Sequence, residues 1–436
     1  MEVSIRALEN QAQAFYQAGK LREALRACQR ILSIQPQRAD VLSFAGEIAL
    51  ASGANAEAAR LYQAAVAVRP DFVEARNNLG LALKRLGRLD EAISVYQRVV
   101  EDRPDLAAVH HNLADAFEAR AEYEKALTAY RRSVAIESDD GDTWAKLGFI
   151  LQRLGRLGEA AEAYRRALAL QPDRIEAFGG LITVLTQSGH PKAVLQSCDD
   201  WLNRHPGGTE ALAFKSVALN ELGDQTTLSA LLDFDRLVRA RRFAPPPGYA
   251  NLAEFNDALS QHVCGHPTLK VPPKDDPTYH LPSLRITHEL LCEPKGPMAQ
   301  LEVMMNEAVK DYLESSTADP THPFLANLPQ RWRLASWAAV LDFEGNLLPH
   351  IHLDGYLSGV YYVQVPEEIE TAGQAGWFEL GRPPSELRCK AKPVTRTIQP
   401  EEGLMLLFPA YFYHQTVPFR STQRRISIAF DVMAKD

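Results

Sequence analysis

Cysteine is scarce in this sequence. Its five thiols (Cys28, Cys198, Cys264, Cys292 and Cys389) are odd in number and never fall in C-x-x-C spacing. That argues against a disulfide framework and leaves reduced thiols in a cytoplasmic protein as the simple reading. A basic surplus is also missing. The net charge of −8 speaks against a general nucleic-acid binder. No apolar run approaches the roughly 20 residues that span a bilayer, so no membrane association is expected. The opening "MEVSIRALENQAQ" has neither a basic start nor an apolar core, so no secretory signal is expected. What remains is ordinary globular composition, 46% hydrophobic and 23% charged, in a chain of 436 residues. That length exceeds what one hydrophobic core usually serves, so two domains are expected.

A 34-residue period dominates the first half. Prolines stand at Pro36, Pro70, Pro104, Pro172 and Pro206, with Ser138 at the omitted place. Small residues recur at Ala24, Ala58, Ala92, Ala126, Ala160 and Val194. Four positions later come Cys28, Tyr62, Tyr96, Tyr130, Tyr164 and Cys198, and the turns carry Gly19, Gly53, Gly87, Gly155 and Gly189. Small residues let two antiparallel helices approach, and the aromatic fills the hole beside them. The glycine ends one helix and the proline punctuates the next. A plain helical bundle would keep no such period. The pattern resembles the tetratricopeptide repeat. It covers about residues 5–208 as six repeats, and 209–223 read as a further, capping helix.

The resemblance implies an α-solenoid whose concave face binds a protein or peptide partner. Asn78, Asn112 and Lys146 occupy equivalent positions of successive repeats on that face. Asparagine can grip a peptide backbone through both donor and acceptor; the plainer reading is a set of solvated polar side chains. His110 and His111 read as satisfied polar residues of the same helices.

The period fails after Gly223. "TTLSALLDFDRLVRARRF" reads as helical, "APPPGY" as an extended turn and "NLAEFNDALSQHV" as a short helix. This gives a helical linker over 224–265. From 266 to 436 the chain is proline-rich at first. It then carries one amphipathic helix, "PMAQLEVMMNEAVKDYLES", and a series of β-branched and aromatic strands. The expected fold class is therefore multidomain: an α-solenoid over 1–223, then a double-stranded β-helix (jelly roll) with flanking helices.

The segment "PHIHLDGYLSG" carries two overlapping pairs, His350 with His352 and His352 with Asp354. Either spacing puts two donors on one side of a strand, about 6.6 Å apart at roughly 3.3 Å per residue. A non-haem iron centre needs three ligands on one face, commonly two histidines and a carboxylate. His352, Asp354 and His414, in "FPAYFYHQTVPF", supply that set. In "RRISIAFD", Arg425 and Ser427 share a strand face and suit a carboxylate clasped between them, while Arg424 points the other way. Tyr362 is a further candidate donor to such a carboxylate, with packing as the plainer reading.

The blocks "PHIHLDGYLSGVYYVQVP", "GWFELGRP", "GLMLLFPAYFYHQTVPF" and "RRISIAFD" together resemble the bacterial 2-oxoglutarate/Fe(II) oxygenases often fused to tetratricopeptide repeats. The resemblance spans about residues 260–436. It implies Fe(II), 2-oxoglutarate and O2 as cofactor and cosubstrates, and a dioxygenase that hydroxylates its substrate. If the first histidine of H-x-H ligates, His350 and His352 bind and Asp354 lies behind them. The pairing of His352 with Asp354 is preferred because a carboxylate lowers the net charge of the site. The fusion suggests a protein or peptide substrate brought by the repeats. Three rivals are a small-molecule oxygenase whose repeats serve assembly, a scaffold with an inactive barrel, and a cupin-type enzyme without 2-oxoglutarate. Arg425 with Ser427 disfavours the last.

Overall fold

The structure, a computed structural model, describes residues 4–272, 283–316, 319–342, 344–371 and 373–435. Part of the proline-rich stretch expected after His266 lies outside them. The chain divides into two compact units, residues 1–184 and 185–436. Among the described residues no helix is long and apolar enough to cross a membrane.

The first unit is a series of helix pairs: α1 (Ile5–Gln17) with α2 (Leu21–Ile34), α3 (Ala39–Ala51) with α4 (Asn55–Val68), and α5 (Val73–Arg85) with α6 (Leu89–Asp102). Next come α7 (Ala107–Ala119) with α8 (Tyr123–Ile136), α9 (Gly141–Arg153) with α10 (Leu157–Leu170), and α11 (Ile175–Gln187), which crosses the division. In α6 the buried residues Ala92, Ile93, Tyr96 and Val99 follow helical spacing and form one stripe. The Tyr96 ring packs against Gly80 of α5, where an added Cβ would lie 2.5 Å from it. Close approach therefore needs glycine at that place.

The turn series departs from expectation at one term. Gly19, Gly53, Gly87, Gly155 and Gly189 all take positive φ, and Ala121 takes it too, at 57°. The geometry of the αα-turn is imposed by the stacked helices even where the residue resists it.

The second unit opens with α12 (Pro191–Arg204) and α13 (Thr209–Leu222), followed by α14 (Gln225–Leu231) and α15 (Phe234–Leu237). The stretch expected to run as one helix to Phe243 is thus broken. Asp224 and Asp233 each cap a new start by accepting from Thr227 N and Arg236 N. Residues Arg239–Arg242 then form β1, which pairs with β8 (Leu404–Pro409) and closes what would be an open sheet edge. Sheet pairing overrides the helical propensity of this arginine-rich segment.

The remaining elements are α16 (Leu252–Cys264), β2 (Leu284–Ile286), α17 (Met298–Ser315), β3 (Trp332–Leu341), β4 (Glu344–Gly345) and β5 (Leu357–Gln364). They continue as α18 (Glu368–Thr371), β6 (Phe378–Leu380), β7 (Arg396–Ile398), β9 (His414–Thr416), β10 (Phe419–Arg420) and β11 (Arg425–Ala434). The strands form an antiparallel six-stranded sheet in the order β1-β8-β5-β11-β3-β2, a three-stranded sheet β7-β6-β9 and a pair β10-β4.

On β11 the apolar face, Ile426, Ile428, Phe430 and Val432, is wholly buried. Each such side chain contributes about 1.5–3 kcal/mol of burial. Tyrosine hydroxyls fasten the flanking segments: Tyr361 donates to Asn256 on α16, Tyr312 to Leu237 O and Tyr411 to Leu231 O.

The segment "GLMLLFPAYFYH" does not run as one strand. It leaves the large sheet at Pro409, turns through Phe412, whose N–H donates to Pro409 O, and re-enters the small sheet as β9. That crossing is what delivers His414.

Candidate metal centre

The backbone of His350 faces that of His414 in a two-residue bridge, with N···O distances of 3.1 and 3.0 Å in the two directions. Residues paired directly across antiparallel strands project from the same side, so both imidazoles emerge together. The pairing continues the ladder in which Phe419 opposes Gly345. His352 follows two positions after His350, and its N–H points to Ala410 O. One ring nitrogen from each of His350, His352 and His414 lies within 4.8 Å of the other two.

Each ring is oriented from behind. Nδ1 of His350 meets Leu348 O at 2.7 Å, and Nδ1 of His414 meets Phe412 O at 3.0 Å. Nδ1 of His352 meets Asp431 Oδ1 at 2.5 Å, and Ser358 Oγ donates to the same carboxylate oxygen at 2.9 Å. Acceptors at all three Nδ1 atoms leave every Nε2 with its lone pair outward, the tautomer that a metal requires. Burial and the neighbouring imidazoles hold His350 down to about 4 and His414 well below the ordinary histidine value, so both are neutral bases. Trp337, Phe378 and Phe408 wall the cluster, their rings 4.9–5.7 Å from those of His352 or His414.

The expected donors divide. His352 and His414 come together, and His350, the alternative, is the third member of the cluster. Asp354 is exposed and is not part of the cluster. The tight turn after His352, with Gly355 N–H donating to His352 O, takes the chain away from the centre before Asp354 can reach it. Sequence reasoning missed Asp431, although strand alternation from Arg425 would have put it on the same face.

That face of β11 carries Arg425, Ser427, Ala429 and Asp431. Their partners across the ladder are Tyr362, Val360 and Ser358 on β5, opposite Ser427, Ala429 and Asp431 respectively. Arg425 is 2% exposed, donates to Gly376 O at 2.7 Å and stacks between the rings of Tyr362 and Phe419. No carboxylate partners it among the described residues. Burial presses its ordinarily high pKa down, and burial also pushes the Tyr362 phenol up to about 12 against the pull of the guanidinium. The Tyr362 hydroxyl and the Trp377 indole N–H are both buried and donate to no group among the described residues. A desolvated cation flanked by unused donors is an unfinished arrangement. Arg424, in contrast, ion-pairs with Asp342 at the surface.

In the first unit, Asn112 donates to Asn77 Oδ1 and Lys146 lies 3.4 Å from Glu118. The Tyr62 hydroxyl lies beside Asn78. His110 meets Pro104 O and His111 meets Thr143 Oγ1, so both are engaged.

A helical-repeat unit followed by an antiparallel β unit with a three-histidine centre defines the class. Family models agree with it: residues 335–431 match the model described as "Putative 2OG-Fe(II) oxygenase", and 45–107 match a tetratricopeptide repeat. Residues 105–222 match the CABIN1 N-terminal domain. The chain thus carries tetratricopeptide repeats and a domain of that oxygenase family. Solved structures similar to it include MamA 41-end from Desulfovibrio magneticus RS-1, at 21% identity over 39% of this chain and 96% of that one, with a TM-score of 0.37. YrrB, titled a TPR protein with an unusual peptide-binding site, is 18% identical over 40% and 91%, with a TM-score of 0.36. TTC0263, a thermophilic TPR protein of Thermus thermophilus, is 22% identical over 42% and 99%, with a TM-score of 0.35. No curated protein matches.

Proposed function

We propose that the chain is an Fe(II)- and 2-oxoglutarate-dependent dioxygenase that hydroxylates a protein or peptide. On this reading the two sheets are the faces of a double-stranded β-helix. The observation that carries it is the joint presence of three converging imidazole nitrogens and a buried Arg425 with no carboxylate partner among the described residues.

His350, His352 and His414 would hold the iron. The donor set fits: imidazole suits iron, and each ring is pre-oriented. Asp431, behind His352, supplies the negative charge that a directly ligating carboxylate would have brought. Arg425, with Ser427 and the Tyr362 hydroxyl, would hold the remote carboxylate of 2-oxoglutarate through a guanidinium fork. Together, Fe(II), 2-oxoglutarate and O2 supply a two-electron C–H oxidation: substrate and O2 give hydroxylated substrate, with 2-oxoglutarate leaving as succinate and CO2. The protein's own share is placement and exclusion of water. Trp337, Phe378 and Phe408 keep the cluster dry, and the neutral imidazoles of His350 and His414 bring no competing protons to the iron face.

The repeats support a protein substrate because stacks of this kind present extended binding surfaces. Asn78, Asn112 and Lys146 remain the proposed peptide contacts, and binding there would exchange the internal bonds of Asn112 and Lys146 for bonds to peptide. The test is turnover of 2-oxoglutarate to succinate by the full chain with Fe(II) and O2, together with a +16 Da shift on captured proteins. His352→Ala should abolish both. Failure of the wild-type chain to bind Fe(II) anaerobically, or to form succinate, overturns the reading.

A further inference from the structure

We propose that the cavity at the C-terminal end of α16 is a second cation site, taking a zinc-class divalent ion between His262, His266, His288 and Cys292. All four line one cavity of about 270 Å3. They come as two H-x3-(H/C) pairs, "HVCGH" and "HELLC", on two chain segments that the fold ties together.

The tie is specific. Lys270 and Ile286 exchange both backbone hydrogen bonds at 2.9 Å. Thr268 Oγ1 accepts from His288 N at 3.0 Å and donates to His288 O at 3.2 Å. The same hydroxyl meets His266 Nδ1 at 2.8 Å and Thr268 N–H donates to that nitrogen at 3.4 Å, so the ring is oriented from behind with Nε2 on its far side.

His262 provides the independent observation. Its Nε2 is buried and has no hydrogen-bond partner among the described residues, while Gly296 packs so closely on the ring that a Cβ there would lie 3.1 Å from Nδ1. A buried imidazole nitrogen without a partner calls for one. The donors stand somewhat apart, with the rings of His262 and His266 separated by 5.7 Å. His288 and Cys292 are exposed, so their side chains can turn inward, and the ion is what would close the set. Three imidazoles and a thiolate suit tetrahedral zinc and not calcium or magnesium, which take oxygen. Binding would release the thiol proton of Cys292, next to the Glu289 carboxylate at 3.8 Å.

Cobalt(II) titration of the chelator-stripped full chain tests this independently of the oxygenase reading. The three-histidine centre has no sulfur, so a thiolate-to-cobalt charge-transfer band reports the second site alone. The band should appear in wild type, persist in His352→Ala and Cys264→Ser, and disappear in Cys292→Ser. Zinc should bleach it, and His352→Ala protein should retain one zinc per chain that His288→Ala removes. His288 and Cys292 are exposed, so these variants should fold, and circular dichroism checks it. Absence of the band in wild type, or its persistence in Cys292→Ser, overturns the proposal.

Discussion

Asp431 Oδ1 lies 2.5 Å from Nδ1 of His352, across 79 positions of sequence. The carboxylate does not reach the cluster itself; it fixes one ring of it and is in turn held by Ser358. Asp431→Asn keeps the shape and removes the charge. Iron affinity should fall about 10–100-fold, the range seen when an outer partner of a ligating histidine is lost. Ser358→Ala should cost less, and anaerobic Fe(II) titration separates the two.

His350 and Asp354 are four residues apart and should behave oppositely. His350→Ala removes one of three converging donors, so iron binding should be lost or fall by more than the Asp431 variant. Asp354→Ala changes an exposed side chain, and affinity should stay within about twofold, since surface changes away from such features are small. Equal losses in both would argue that the carboxylate swings in when metal binds.

Arg425 is the test of the cosubstrate. Arg425→Lys keeps the charge but not the planar fork, so 2-oxoglutarate affinity should drop about 10–100-fold while Fe(II) affinity is retained. The absorbance of the Fe(II)–2-oxoglutarate chelate, titrated anaerobically, reads it. Unchanged affinity would place the cosubstrate elsewhere.

Ala121 sits at φ 57° where five equivalent turns carry glycine at positive φ. For an L-residue with a Cβ that conformation costs roughly 1–2 kcal/mol. Ala121→Gly should therefore stabilise the repeat unit by about 1 kcal/mol in urea unfolding, with an unchanged m-value. A loss of stability would show that the strain is relieved elsewhere.

The repeats were legible because their signal is local: a 34-residue period in small, aromatic, glycine and proline positions is printed in the sequence itself. Strand alternation likewise put Arg425 and Ser427 on one face, apart from Arg424. The segment 239–242 reads as helix in sequence because arginine and alanine suit one, and only the unpaired edge of β8 makes a strand the better state. Similarly, Pro409 marks a break between Leu404 and His414, but nothing there announces that the chain passes to another sheet.

Sequence alone therefore determined which side chains were available to a metal: two histidines and an aspartate within five residues, and one more histidine downstream. Which of them meet was decided by cross-strand register. His350 pairs with His414 through two backbone hydrogen bonds, and the turn after His352 leads Asp354 outward. A spacing of two fixes a shared side within one strand, but only the neighbouring strand fixes which side is the inside.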